Sequence, residues 1–156
     1  MTRLTLRPYS PSDPRRIDAR ADFAAEHRLM GEPLFGLGRP EGPCWTLIDG
    51  EGRWDRPLGC GGLEPLAPGR YAAWLYASDL SPRAWATVAR AFRVMVLETG
   101  ARRVEATIRA TGEETETFMR ELKACAYAQR CGLTIEGRLK GFGPDGADYW
   151  LYAGVF

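Results

Sequence analysis

Several residues in this chain have the types and spacing to do chemistry. Three acids sit on or beside apolar, strand-like stretches: Glu64 after Gly61-Gly62-Leu63, Asp79 after Tyr76-Ala77-Ser78, and Glu105 within Arg103–Ile108. A carboxylate so placed can take a proton from an attacking group. The plainer outcome is solvation beside a turn for Glu64 and Asp79, and an outward orientation on the strand for Glu105. Ser81-Pro82 has the form of a helix start, because serine is a favoured N-cap and proline fits the first helical position. Arg83 in that first turn can pair with a phosphate, or the segment can simply begin a core helix with Trp85 packed inward. Tyr127 carries a phenol that can donate a proton, or it is a core aromatic. The cysteines Cys44, Cys60, Cys125 and Cys131 contain no Cys-x-x-Cys pair, and the single histidine, His27, is far from them in sequence. That spacing argues against zinc and for buried, reduced thiols in a cytoplasmic protein. His27 falls at the edge of a helix-like segment, where a structural or surface role is the simpler reading.

The bulk numbers limit what can carry these groups. The chain has 156 residues, enough for one core and one domain spanning 1–156. Lys plus Arg is 21 and Asp plus Glu is 20, a balance of +1 that gives no electrostatic case for nucleic acid or an anionic membrane. No run approaches the roughly 20 apolar residues that span a bilayer. The opening MTRLTLRPYS has no signal-peptide core.

Periodicity then places the elements. Leu4–Tyr9 alternates as a strand stopped by Pro8 and Ser10-Pro11-Ser12-Asp13, and Pro14–Met30 has helical spacing closed by Gly31. Residues 32–43 are Gly- and Pro-rich and form a loop. Cys44–Ile48, Pro57–Leu63 and Tyr71–Tyr76 are strands, the first two joined by Asp49-Gly50-Glu51-Gly52. A helix from Ser81 to Gly100 buries Trp85, Val88, Ala89, Phe92, Met95 and Val96. Arg103–Ile108 is a strand and Glu113–Arg130 a helix with an acidic first turn. Leu133–Phe142 and Asp148–Val155 make a final hairpin across Gly143-Pro144-Asp145-Gly146.

This order resembles the GNAT (Gcn5-related N-acetyltransferase) superfamily. Pro57-Leu58-Gly59-Cys60-Gly61-Gly62-Leu63 looks like the glycine-rich third strand of that family. Tyr127–Gly137 is similar to its "lGFxxEG" ending, and Asp145–Ala153 to its closing "dGxDxxxYa" hairpin. The resemblance covers nearly the whole chain. It implies a mixed α/β (α+β) fold with a mostly antiparallel six- to seven-stranded sheet, splayed between the fourth and fifth strands and flanked by about three main helices. The terminal strand would lie toward the far end of the split sheet. Similar short variants occur in phage and prophage sequences, which implies a phage or virion-associated context as an alternative to a plainly cytoplasmic one.

The resemblance also implies a function. The chain would be an N-acetyltransferase that uses acetyl-CoA, with no metal, on an amine of a small molecule or protein. The pantetheine arm would lie along the backbone of Ala73–Ala77, giving Trp74, Leu75 and Tyr76 as cofactor-binding positions. Ser81, Arg83 and Ala84 would meet the pyrophosphate. Glu105, Asp79 or Glu64 would be the general base and Tyr127 the acid that protonates the thiolate. The chain departs from the family in two places. Leu80-Ser81-Pro82-Arg83-Ala84-Trp85 has no glycine where the family has a Gly-x-Gly/Ala phosphate loop. The position of the catalytic tyrosine is Ala128, one residue after Tyr127, and one residue turns a helical side chain by about 100°. These departures fit a second expectation: a non-catalytic GNAT-fold protein that meets protein partners in an assembly through an exposed apolar patch near Trp54, Leu66 or Trp150.

Overall fold

The computed structural model describes residues 4–20, 40–50, 55–110 and 115–156, with no side chains for residues 115–121. Seven strands form one sheet: β1 (Leu4–Pro8), β2 (Cys44–Asp49), β3 (Arg56–Ala67), β4 (Arg70–Ala77), β5 (Arg103–Arg109), β6 (Thr134–Leu139) and β7 (Tyr149–Val155). Their spatial order is β1-β2-β3-β4-β5-β7-β6. Only β4 and β5 are parallel. Parallel neighbours need a crossover, which is helix α1 (Pro82–Thr99). Helix α2 (Thr115–Arg130) joins β5 to β6.

The period-two alternation of the strands sorts side chains onto two faces. Trp45, Leu47, Leu63, Ala77, Val104 and Tyr152 meet α1 through Ala84, Val88, Phe92 and Val96, and α2 through Ala128, forming the main core. The opposite face of β2–β4 carries a second cluster of Tyr9, Ile17 and Cys60, against which Cys44, Trp74 and Tyr76 pack. Glycine in β3 is a packing requirement. A Cβ on Gly61 would come within 2.8 Å of the Trp74 carbonyl oxygen and 3.1 Å of the Trp45 ring. Helix α1 begins as its sequence predicts: Ser81 Oγ accepts from the Ala84 N–H at 3.3 Å. It ends at Gly100, which adopts φ 61° in the left-handed region open to glycine.

Two expectations change. The predicted Pro14–Met30 helix begins as a 3-10 turn that covers Pro14–Arg16 only. Ile17 turns extended there, because its side chain is drawn into the second cluster. The Arg20 N–H then bonds the Ala77 carbonyl at 3.0 Å instead of continuing a helix. Residues 21–30, with His27, lie outside the described residues; two α-helices are seen among the described ones. The terminal strand is not at the sheet edge: β7 lies between β5 and β6, and the hairpin puts β6 outermost. Among the described residues no helix is long and apolar enough to cross a membrane.

One buried carboxylate ties the first strand to the second. Asp13 is fully buried. It accepts from Arg7 Nη2 at 2.6 Å, Arg7 Nη1 at 2.9 Å, Thr46 Oγ1 at 2.6 Å and the Ser10 N–H at 2.9 Å. Burial pushes the carboxyl up, but the hydrogen bonds from Arg7, Thr46 and Ser10 outweigh it and hold Asp13 below its ordinary value. A depressed folded value stabilises the fold above the unfolded carboxylate value, near pH 4, and that stability is lost as pH falls through the folded value. We expect Asp13→Asn to lower the unfolding free energy at pH 7 by about 3 kcal/mol, because it leaves Arg7 without its charge partner. Denaturant titration should show the gap between wild type and variant narrowing as pH drops below about 4. A gap independent of pH would contradict the assignment.

Candidate functional site

The site begins where a ladder stops. β4 pairs with β5 only through Arg70↔Arg103, Tyr71↔Val104 and Ala72↔Glu105. β3 continues beside β4 to Gly59↔Ala77, and β7 beside β5 to Arg109↔Tyr149. The sheet therefore opens past Ala72 and Glu105. Among the described residues, β3 is the only strand alongside residues 73–77. Half-buried apolar groups accompany the opening on the helix face: Ala73 and Leu75 on β4, Ala106 and Ile108 on β5, Trp85 on α1 and Tyr127 on α2. This apolar, concave setting suits a slender, amide-bearing chain lying against strand backbone.

The β4 end of the opening meets the start of α1, where a helix N-terminus favours anions. The donors there are few. Pro82 has no N–H, the Ala84 N–H is used by Ser81 Oγ, and the Trp85 N–H goes to the Ser81 carbonyl at 3.0 Å. That leaves the Arg83 N–H and its exposed side chain to meet an anion. Ala84 is buried and offers neither its side chain nor its N–H.

The candidate acid and bases do not converge. Glu105 accepts from Arg70 Nε at 2.8 Å, Arg70 Nη2 at 2.9 Å and Arg103 Nε at 2.6 Å. The Arg70 bonds foremost, then Arg103, hold its carboxyl below the usual range, which makes it a poor proton acceptor. Asp79 is exposed beyond the end of β4. Glu64 is half-buried beside Ala72 in the β3–β4 ladder, and among the described residues it has no ion-pair partner. Burial, with the neighbouring Cys131 adding to it, drives the Tyr127 phenol well above its ordinary value, so it is a weak acid. The same burial pushes the Cys131 thiol up to about 11.

Tyr127 instead stacks on Trp85, with ring centroids 4.6 Å apart and planes at 49°. Nearby, Arg93 Nη2 donates to the Arg130 carbonyl. These contacts tie α1 to α2 on the face where the sheet opens. Alternation also splits the expected cofactor positions: Leu75 joins the helix face, while Trp74 and Tyr76 point to the other. Their shared backbone still borders the opening, although the Ala77 carbonyl is already taken by Arg20. Asp13 and Tyr9 were missed as more than turn and strand residues; the signal was an acid three residues after Ser10 in the turn that follows β1, with its Thr46 partner on the neighbouring strand β2. Of the expected apolar patch, Leu66 is exposed, Trp150 is half-buried with the Arg138 guanidinium 5.4 Å from its ring centre, and Trp54 lies outside the described residues. No group of metal-ligating side chains forms among the described residues.

No protein-family model matches this chain, and no curated protein matches it. Solved structures do. A variant of the spermidine N-acetyltransferase from Vibrio cholerae superposes with a TM-score of 0.62 at 14% identity, over 97% of this chain and 93% of that one. An acetyltransferase of the GNAT family from Streptococcus pneumoniae superposes with a TM-score of 0.64 at 13% identity, over 99% of both chains. A mixed sheet with its single parallel pair opened after three residue pairs, a crossover helix starting at the opening and these superpositions lead to one statement: the chain has the GNAT acetyltransferase fold.

Proposed function

We propose that the chain is an acetyl-CoA-dependent N-acetyltransferase that acts by direct attack of an amine on the thioester. The observation that carries this reading is the interrupted β4–β5 ladder. It leaves a backbone edge from Ala73 to Tyr76 beside apolar side chains, which suits the pantetheine amides. Ser81 and Arg83 would meet the pyrophosphate. There the fit is thinner, since one helix N–H and one guanidinium replace a glycine-rich cradle.

In the reaction the acceptor ammonium first gives up a proton to water or a carboxylate. The neutral nitrogen then attacks the thioester carbon. A C–N bond forms, the C–S bond breaks, and the departing thiolate takes up the proton that the nitrogen loses, giving the free thiol. Backbone N–H groups of β4 would stabilise the developing oxyanion. This route needs no activated tyrosine, in keeping with the weak acidity of Tyr127.

A second reading is a non-catalytic GNAT-fold protein that binds partners within an assembly, a phage particle being one such setting. It is favoured by one specific observation: the Trp85–Tyr127 stack bridges the helices at the opening.

Calorimetry decides between them. The enzyme reading expects acetyl-CoA to bind in the micromolar range and Arg83→Ala to weaken it by about tenfold, or 1.4 kcal/mol. No heat up to millimolar acetyl-CoA would sink it. We further expect Trp85→Ala to tighten acetyl-CoA binding several-fold, while thermal or denaturant unfolding shows a stability cost of about 2 kcal/mol for the lost ring. Unchanged or weaker affinity in Trp85→Ala would mean that the stack does not hinder the cofactor.

A further inference from the structure

The face of β4 away from the helices holds groups that acyl-donor binding does not use. Trp74 follows the last joined residue, Ala72, on that face, and Tyr9 meets it edge-on with centroids 5.9 Å apart and planes at 86°. Tyr9 is only 6% exposed, yet among the described residues its Oη has no hydrogen-bond partner, and neither has the buried Trp74 Nε1. Buried donors are nearly always paired, so two on rings that touch point to an oxygen that belongs to something else. Burial foremost raises the Tyr9 phenol to about 12, so it stays an O–H donor at neutral pH.

A carboxylate accompanies them. In the last joined row, Ala72 has Glu64 on one side and Glu105 on the other. Glu105 is neutralised by Arg70 and Arg103. Glu64 is not paired among the described residues. It is the diagonal neighbour of Trp74 across the Gly62↔Trp74 and Glu64↔Ala72 register, within reach of long side chains. The other carboxylates that face β5 and β7 are held by arginine: Glu136 by Arg103, Asp145 by Arg109 and Asp148 by Arg138. One carboxylate without an ion pair among the described residues suits one ammonium and is poorly matched to a polyamine.

We infer that Glu64, Trp74 and Tyr9 form the acceptor subsite, and that it takes a primary amine whose skeleton carries a hydrogen-bond-accepting oxygen, such as an amino-acid amide. Glu64 holds the ammonium beside the opening, and Tyr9 Oη and Trp74 Nε1 donate to the oxygen. The inference rests on the acetyltransferase reading for its chemistry, but the binding itself does not.

The test uses glycinamide, which has one amine and one carbonyl, and 1,4-diaminobutane, which has two amines and no oxygen. Thiol release from acetyl-CoA gives kcat and KM, and calorimetry with each amine alone gives binding. Glycinamide should exceed the diamine at least tenfold in kcat/KM. Tyr9→Phe keeps the ring and should erase most of that preference through KM, with kcat little changed. Glu64→Gln should raise KM for both amines about tenfold. Equal use of both amines, or a preference untouched in Tyr9→Phe, overturns the subsite and leaves acetyl transfer standing. Glycinamide binding that Tyr9→Phe weakens, without thiol release, sustains the subsite and overturns the transfer reading. Neither binding nor release overturns both.

Discussion

The architecture depends on a parallel ladder only three residue pairs long. Arg70–Ala72 against Arg103–Glu105 is the sole seam between the four-stranded and three-stranded arms of the sheet. The seam is fixed at one end. The N–H groups of Arg102 and Arg103 both bond the Gly69 carbonyl, at 2.8 and 3.0 Å. Gly69 sits at φ 75°, and a Cβ there would fall 2.6 Å from Arg102 Nε. The Phe156 N–H reaches the Arg102 carbonyl at 3.0 Å, so the last residue of the chain helps to clamp the seam. Along the surface Arg70, Glu105, Arg103 and Glu136 alternate in charge across the arms. Exposed pairs of this kind are individually weak, and the backbone bonds set the geometry. With one end held, the twist of the two arms carries them apart at the other.

That opening leaves one strand with two chemically different faces. Odd-numbered residues of β4 face the helices and even-numbered residues face away, so a thioester in the gap would have an apolar wall on one side and Trp74 on the other. The same geometry explains why Glu105 makes a poor base. It lies at the seam, where its job is to join Arg70 to Arg103, and an ion-paired carboxylate resists protonation. Glu64 shares its row without sharing its partners. The contact of Trp85 with Tyr127 belongs to the helix side, so the two faces are chemically distinct.

Much of the fold was legible in the sequence because alternation, caps and turn residues are local signals. Ser81-Pro82 and Gly100 bounded α1 to the residue, and every strand fell within a few positions of its expected place. The stretch from Pro14 to Arg20, expected as the start of a helix, was not legible. Ile17 has helical spacing, but a tertiary contact with the second cluster overrides it. The site was less readable because its features are relations between distant residues. The bond from Thr46 to Asp13, the neutralisation of Glu105 by Arg70 and the pairing of Tyr9 with Trp74 each join segments far apart in sequence, and no local pattern encodes them. The strand face of Trp74, Leu75 and Tyr76 was implicit in period two, and only the register showed which face met the helices.

The most direct test of the central claim is amide hydrogen exchange across β4, with and without saturating acetyl-CoA. The account predicts slower exchange at residues 73–76, on the strand edge that lacks a second ladder, and little change in the β5 amides already bonded to β7. Protection absent from residues 73–76, with acetyl-CoA bound, would contradict the claim that the interrupted ladder is the acyl-donor site.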